Sequence, residues 1–204
     1  WRVEDGFLRS VGLGSDYNYP YSLVLDESGI YFDPKCESDL TKILRSIPTH
    51  PDRDRLIERS RALIEMIREH NLTKYNMPSD PTTKALCRSF PIDKRIILVP
   101  GQVDDDASVK RGGGRIQSNR ELLEAVRVRN PDGYIVFKPH PDVTSGNRIG
   151  RVPEDVLQRC ADRVLEDGSL IDILPHVDEV HTLTSLSGFE ALIRGKRVVL
   201  PLPQ

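Results

Sequence analysis

Ile96-Ile97-Leu98-Val99, followed at once by Pro100-Gly101-Gln102-Val103-Asp104-Asp105-Asp106-Ala107-Ser108, decides the fold class. An unbroken apolar run without polar alternation reads as a strand buried on both faces, and such strands belong to parallel sheets covered by helices. Toward the C-terminus the rhythm repeats. Residues 118–128 read as a helix, Tyr134-Ile135-Val136-Phe137 as a strand, and residues 153–160 as a helix. Arg163-Val164-Leu165 is a short strand, residues 169–174 are helical, and Glu179-Val180-His181-Thr182 is a strand. A helix over 187–193 and a last strand at Arg197-Val198-Val199-Leu200 complete the series. Strands alternating with helices in this way predict an α/β fold with a doubly wound parallel sheet. In such sheets ligand-handling residues sit just past the carboxyl ends of the strands.

Toward the N-terminus the pattern changes. Residues 1–34 look strand-rich: Trp1 to Phe7, Ser22-Leu23-Val24-Leu25-Asp26, and Gly29-Ile30-Tyr31-Phe32, each bounded by turn residues. Ser38 is an N-cap candidate for a short helix ending near Ser46, and a longer helix follows Pro51 with Leu56, Ile57, Leu63, Ile64 and Ile67 at helical spacing. The proline-rich stretch 71–91 reads as a hinge or linker. The expected division is therefore 1–90, strands, helices and linker, and 91–204, a Rossmann-like lobe.

With 29 Lys and Arg against 31 Asp and Glu among 204 residues, the formal net charge of -2 supplies no global field for nucleic acid, so any bound anion must be met by a local cluster. Cys36, Cys87 and Cys160 are odd in number and widely spaced, which favours buried free thiols in a reducing, cytoplasmic setting over disulfides or zinc. No apolar run is long enough to span a bilayer. The abrupt ends, Trp1-Arg2-Val3 and Pro201-Leu202-Pro203-Gln204, read as those of a piece of something larger.

Three polar clusters fall at strand ends. The first is Gln102 through Ser108; the second is Lys138-Pro139-His140-Pro141-Asp142; the third is Thr182-Leu183-Thr184-Ser185-Leu186-Ser187-Gly188-Phe189-Glu190. Hydroxyls and a glycine at a helix start suit a phosphate, because the unpaired N–H groups and the helix dipole point at it; plain N-capping is the alternative. Glu190, one turn in, can accept from a ribose diol or simply face solvent. Prolines on either side of His140 stiffen its loop, which with Lys138 alongside suits a phosphate ligand or proton donor. Of Asp104, Asp105 and Asp106, two read as turn or solvated acids. A metal site built from them with His140 and Asp142 lacks a recognisable ligand spacing. Glu4 and Asp5 before Gly6 are a carboxylate pair or a turn signal. Gly112-Gly113-Gly114, flanked by Lys110, Arg111 and Arg115, reads as a mobile basic loop.

Taken together, these segments resemble the bacterial capsule polysaccharide β-Kdo transferases of the KpsC type. The matching stretches are Val3 to Ser10 with Gly12-Leu13-Gly14, Ser22 to Asp26, Gly29-Ile30-Tyr31, Lys74-Tyr75-Asn76, Gly101 to Ser108, Lys138 to Asp142, and His181 to Leu192, in the family's order. The resemblance implies a GT-B architecture, with part of an N-terminal Rossmann-like acceptor lobe and a C-terminal lobe that holds CMP-Kdo. It implies retaining transfer of Kdo to a lipid-linked acceptor during capsule linker synthesis, with no cofactor and no metal. Asp106 would be the nucleophile, with Glu4 or Asp5 assisting the acceptor hydroxyl. His140 and Lys138 would meet the donor phosphate or carboxylate, and Ser185, Ser187 and Glu190 would contact the nucleotide. Gln102, Ser108, Asp142, Thr184 and Gly188 complete the expected donor-binding set. Implied partners are the glycolipid acceptor at the inner membrane and capsule assembly proteins, so the protein would be cytoplasmic and peripherally membrane-associated. A noncatalytic sugar-nucleotide or polysaccharide-binding module, as in capsule export, is the rival reading.

Overall fold

The computed structural model describes residues 1–200. They form two compact units, the first Trp1–Met77 and the second beginning at Pro78, so the division falls ahead of the 90/91 boundary expected from the sequence.

In the first unit, β1 (Arg2–Asp5) pairs antiparallel with β2 (Leu23–Asp26), Val3 opposite Leu25. The strand expected at Gly29-Ile30-Tyr31-Phe32 does not form. Asp26, 1% exposed, accepts from the backbone N–H of Ser28 at 3.0 Å, of Gly29 at 2.7 Å and of Asp39 at 3.0 Å. These bonds fold the chain into a turn just where extension would have continued. Helix α1 (Asp39–Ser46) starts as expected at Ser38, whose hydroxyl accepts from the Thr41 N–H. Helix α2 (Arg53–Glu69) follows, and of its apolar stripe only Ile67 is buried. This unit's sheet is antiparallel, so among the described residues the parallel, Rossmann-like arrangement belongs to the second unit alone.

The second unit is the α/β fold read from the Ile96 stretch. Helix α3 (Pro81–Arg88) lies within the stretch expected to be linker. Asp80 caps it through the Thr82 and Thr83 N–H groups and Pro81 sits at its first position, a start signal that the prolines nearby concealed. Five strands follow: β3 (Ile96–Pro100), β4 (Tyr134–Lys138), β5 (Arg163–Val164), β6 (Glu179–His181) and β7 (Arg197–Val199). All neighbouring pairs are parallel, in the order β5-β4-β3-β6-β7. Side-chain alternation splits the central strand between two cores. Ile97 and Val99 pack with Leu122, Leu123, Val126 and Val156 from α5 (Asn119–Arg129) and α7 (Glu154–Cys160). Ile96 and Leu98 pack on the other face with Cys87 of α3, Ile173 of α8 (Leu170–Ile173) and Ala191 of α9 (Leu186–Ile193). Helices on both faces explain the unbroken apolar run of β3.

Two short helices lie outside the elements expected from the sequence: α4 (Ala107–Gly112), which overlaps the start of the basic loop expected to be mobile, and α6 (Pro141–Thr144). Gly113 ends α4, and a Cβ there would lie 2.6 Å from the Val109 carbonyl oxygen, so this glycine serves close packing rather than phosphate binding. Cys87 and Cys160 are buried free thiols, whereas Cys36 is exposed.

Asp172 ties the start of this unit to its core. Its carboxylate accepts from Ser79 Oγ and from the Asp80 N–H, each at 2.7 Å, with Lys84 Nζ at 3.3 Å. Burial opposes its ionisation, but these donors outweigh it and hold the carboxyl below its usual range. Asp172→Ala leaves the Asp80 N–H without its acceptor and is expected to cost about 1–3 kcal/mol of stability. A lowered urea midpoint is the expected result, and an unchanged midpoint would show that water takes the carboxylate's place.

Candidate functional site

The order β5-β4-β3-β6-β7 reverses direction between β3 and β6, the place where open α/β sheets bind ligands beyond their carboxyl ends. The pairing shows the parting. β3 stays in register with β4 through Pro100 opposite Lys138, but its pairing with β6 ends at Leu98 opposite Val180. The loop after β3 and the loop after β6 flank the crevice so formed.

Gln102 bridges them. Its backbone N–H donates to Asn119 Oδ1 at 2.8 Å, and Asn119 Nδ2 donates back to the Gln102 carbonyl at 2.6 Å, which fixes the main chain. Its side-chain oxygen accepts from the N–H of Leu183 at 3.3 Å, the N–H of Thr184 at 3.1 Å and the hydroxyl of Thr182 at 3.3 Å. Its amide nitrogen donates to Thr184 Oγ1 at 2.9 Å. Thr184 Oγ1 donates to Ser108 Oγ at 3.2 Å, and Ser108 Oγ donates to Asp106 Oδ1 at 2.6 Å. Gln102, Asp106, Ser108 and Thr184 are thereby brought together, as expected of the site. Gln102, 6% exposed, spends most of its hydrogen-bonding capacity inside the protein.

The three successive aspartates have separate fates. Asp104 accepts from the Asn119 N–H at 3.0 Å, and burial pushes its carboxyl up. Asp105 pairs with Arg148 at 3.0 Å on the surface; that hydrogen bond holds its carboxyl low. Asp106 caps α4, accepting from the Ser108 N–H at 2.8 Å as well as from the hydroxyl.

At the start of α9, Ser185 caps the helix by accepting from the Ser187 N–H at 3.2 Å, and the two hydroxyls are 3.1 Å apart. Gly188 is buried where a Cβ would stand 3.0 Å from Thr182 Cγ2, so it lets α9 approach β6 closely. Glu190 is 6% exposed, which removes the reading of a solvent-facing helical acid. His140 caps α6: Nδ1 accepts from the Asp142 N–H at 3.2 Å, so in that arrangement the ring proton is on Nε2. The Asp142 carboxylate lies 3.8 Å from the same nitrogen. Gly101 makes room for this loop, since a Cβ there would lie 3.0 Å from the His140 backbone nitrogen. Lys138 turns elsewhere: Nζ donates to the Asp167 carbonyl at 3.0 Å and the Glu166 carbonyl at 3.4 Å, and burial lowers its basicity.

Glu4 and Asp5 belong to the first unit. Asp5 accepts from Arg9 Nε at 2.7 Å, with Lys74 Nζ at 3.7 Å. Burial lowers the Lys74 ammonium's affinity for its proton, but Tyr75 and Asp5 outweigh this and raise it. Among the described residues no cluster of three His, Cys, Asp or Glu is placed to hold a metal, and no helix is long and apolar enough to cross a membrane.

Sequence reasoning missed two features. One is Asn119, whose position directly after the capping Ser118 was its only signal. The other is an ion cluster around the start of β6: buried Glu179, with His181 Nε2 at 3.0 Å, Arg95 Nε at 3.5 Å and Arg197 at 3.3 Å. Period-two spacing in β6 puts Glu179 and His181 on one side of the strand.

This unit is an open parallel α/β sheet with strand-end hydroxyls and a carboxylate at its strand reversal, the place where such sheets take their ligands. Residues 1–201 match the model of the family described as capsule polysaccharide biosynthesis protein, and the chain belongs to that family. It is 47% identical over 197 residues to the capsule polysaccharide modification protein LipA of Neisseria meningitidis serogroup A, covering 97% of this chain and 27% of that protein. It is 44% identical over 202 residues to the lipopolysaccharide-processing protein LpsZ of Rhizobium meliloti, covering 98% of this chain and 44% of that one. The chain thus spans less than half the length of these curated relatives. The solved structures similar to it include two of Thermosulfurimonas dismutans KpsC. The β-Kdo 2,7 transferase has a TM-score of 0.74 at 41% identity, covering 98% of this chain and 56% of that one. The β-Kdo 2,4 transferase has a TM-score of 0.77 at 32% identity, covering 97% and 60%.

Burial lowers the basicity of His181, although Glu179 pulls the other way. The folded state therefore takes up this proton less readily than the unfolded chain, whose histidines titrate near about 6.5. Stability is expected to fall as pH drops below that value, and to fall less in His181→Gln. Urea titrations of both proteins at neutral and mildly acidic pH check this; parallel losses would remove His181 as the source.

Proposed function

We propose that the chain is the core of a retaining glycosyltransferase module that moves Kdo from CMP-Kdo to a lipid-linked acceptor in capsule linker synthesis. The observation that carries this reading is the convergence of Asp106, Ser108, Thr184 and the hydroxyl-rich start of α9 on one crevice, in a chain similar to Kdo transferases. In this reading the protein is GT-B-like, the second unit binds the donor and the first serves the acceptor. The N–H groups and dipole at the α9 start, with Ser185 and Ser187, take the CMP phosphate. Glu190 lies one turn further for the ribose, and His140 serves the donor's anionic groups. The donor is a sugar nucleotide and the acceptor a glycolipid, which places the protein on the cytoplasmic side of the inner membrane, beside the proteins of capsule assembly.

Chemically, a carboxylate oxygen of Asp106 attacks the anomeric carbon of Kdo while the bond to the phosphate oxygen breaks, and CMP leaves with that electron pair. The result is a glycosyl ester on the enzyme. The acceptor hydroxyl then attacks the same carbon, its proton passes to Glu4 or Asp5, and the ester bond breaks to restore the carboxylate. Two inversions give net retention. CMP is a good leaving group, so its departure needs positioned donors rather than a strong acid.

A second assignment makes Asp5 the nucleophile, and one observation favours it: Arg9 and Lys74 hold it as an oriented carboxylate, whereas Asp106 Oδ1 is engaged in capping.

In the full-length protein, Asp106→Ala is expected to leave CMP binding nearly intact and to abolish transfer, since the lost interaction exists only along the reaction path. Asp104→Asn and Asp105→Asn should retain most activity. Intact mass and peptide mapping after incubation with CMP-Kdo should place a Kdo-sized increment on the peptide containing Gln102 to Ser108. An adduct on the Glu4–Asp5 peptide would transfer the role to Asp5, and nucleotide binding without any transfer would favour a noncatalytic binding module.

A further inference from the structure

The hydrogen bonds that cross the crevice have a fixed direction. The oxygen of the Gln102 side-chain amide faces three donors, the Thr182 hydroxyl and the N–H groups of Leu183 and Thr184. Its NH2 must therefore point at Thr184 Oγ1, which it reaches at 2.9 Å. With an N–H donated to it, the Thr184 hydroxyl sends its own proton outward to Ser108 Oγ at 3.2 Å. The Ser108 hydroxyl in turn sends its proton to Asp106 Oδ1 at 2.6 Å. The series runs one way, from an amide whose other end is locked by two backbone N–H groups to the carboxylate at the start of α4.

We propose that Gln102, Thr184 and Ser108 are positioning residues: a donor relay that sets the orientation of the Asp106 carboxylate from the opposite side of the crevice. This rests on the reading of Asp106 as the nucleophile and extends it to residues that the sequence assigned to donor binding. Asp106 Oδ1 receives both the Ser108 N–H and the Ser108 hydroxyl, which leaves Oδ2 as the oxygen aimed at a reacting atom. The N–H alone caps α4. The hydroxyl adds a second donor to the same oxygen and restricts the rotation of the carboxylate, and that hydroxyl in turn accepts from Thr184 Oγ1. The relay also links the two loops. A nucleotide that moves the β6–α9 loop moves Thr184, and with it the donor that holds Asp106.

A donor-binding Thr184 and a positioning Thr184 differ in what their loss does. If Thr184 were a phosphate ligand, Thr184→Val in the full-length protein would raise KM for CMP-Kdo. As a relay member, Thr184→Val is expected to lower kcat by about 10- to 100-fold with KM changed by less than about threefold. Thr184→Ser keeps the hydroxyl and should recover most of the rate. Ser108→Ala should reproduce the kcat loss, and the double variant should be little worse than either single one, because both break the same series. Thermal unfolding of each variant reads any loss of fold separately. The relay is overturned by a Thr184→Val enzyme with unchanged kcat, by a Thr184→Ser enzyme no better than the valine variant, or by losses that multiply in the double variant. Asp106→Ala, assayed alongside, separates the two claims. Full transfer by that variant removes the nucleophile reading and the relay with it, whereas an inactive Asp106→Ala beside a fully active Thr184→Val removes the relay alone.

Discussion

The separation of β3 from β6 is the constraint on which the rest of the site depends. A parallel sheet whose strand order reverses must open there, and the backbone groups past Leu98 and Val180 lose the ladder that would have satisfied them. Gln102 fills that gap, supplying one acceptor to three donors on the β6 side and one donor to Thr184. Each bond contributes roughly 1 kcal/mol net, but leaving the buried N–H groups unmet would cost about 1–3 kcal/mol apiece. A glutamine suits the position because it both accepts and donates without bringing a charge into a buried place. Asn119 performs the matching task for the main chain of Gln102, so the loop carrying Asp104 to Asp106 is held from two sides.

Holding that loop resolves a conflict in the sequence. Three adjacent carboxylates repel one another, and each has been given a different partner: a backbone N–H for Asp104, Arg148 for Asp105, and a serine N–H and hydroxyl for Asp106. The run therefore consists of three separately placed acids, one of which also starts a helix. Capping and chemistry are compatible here, because capping engages one carboxylate oxygen and leaves the other.

The sheet was legible because its strands are short apolar runs separated by turn residues, and the strand-end location of the polar clusters followed from the fold class alone. Asp106 and Ser108 past β3 and Thr184 past β6 did come together. What was not legible depended on partners distant in the chain. Helices α3, α4 and α6 are short, and the residues that start them, Asp80, Asp106 and His140, looked like linker or chemistry. The lost strand at Gly29-Ile30-Tyr31-Phe32 has good β-forming residues but follows Asp26, whose carboxylate draws in three backbone N–H groups. Lys138 stands beside His140 in sequence, yet strand alternation sends it to the carbonyls of the β5 loop, where proximity in the chain says nothing about a shared ligand. Glu179 and His181 read simply as strand residues, since their importance comes from Arg95 and Arg197 on the neighbouring strands and segments.

Charge decides which concavity of the second unit suits an anion. A cleft of ≈ 460 Å³ opens beside β5, lined by Asp80, Thr82, Thr83, Leu86, Val164, Leu165, Glu166 and Asp167. Three carboxylates border it, and the nearby ammonium of Lys138 is already engaged by the Glu166 and Asp167 carbonyls. A phosphate entering there would meet like charge from Asp80, Glu166 and Asp167. The crevice between β3 and β6 offers a helix start and two serine hydroxyls. Electrostatics favours the crevice at the strand reversal for an anion, because an anion is bound by fixed donors rather than by room.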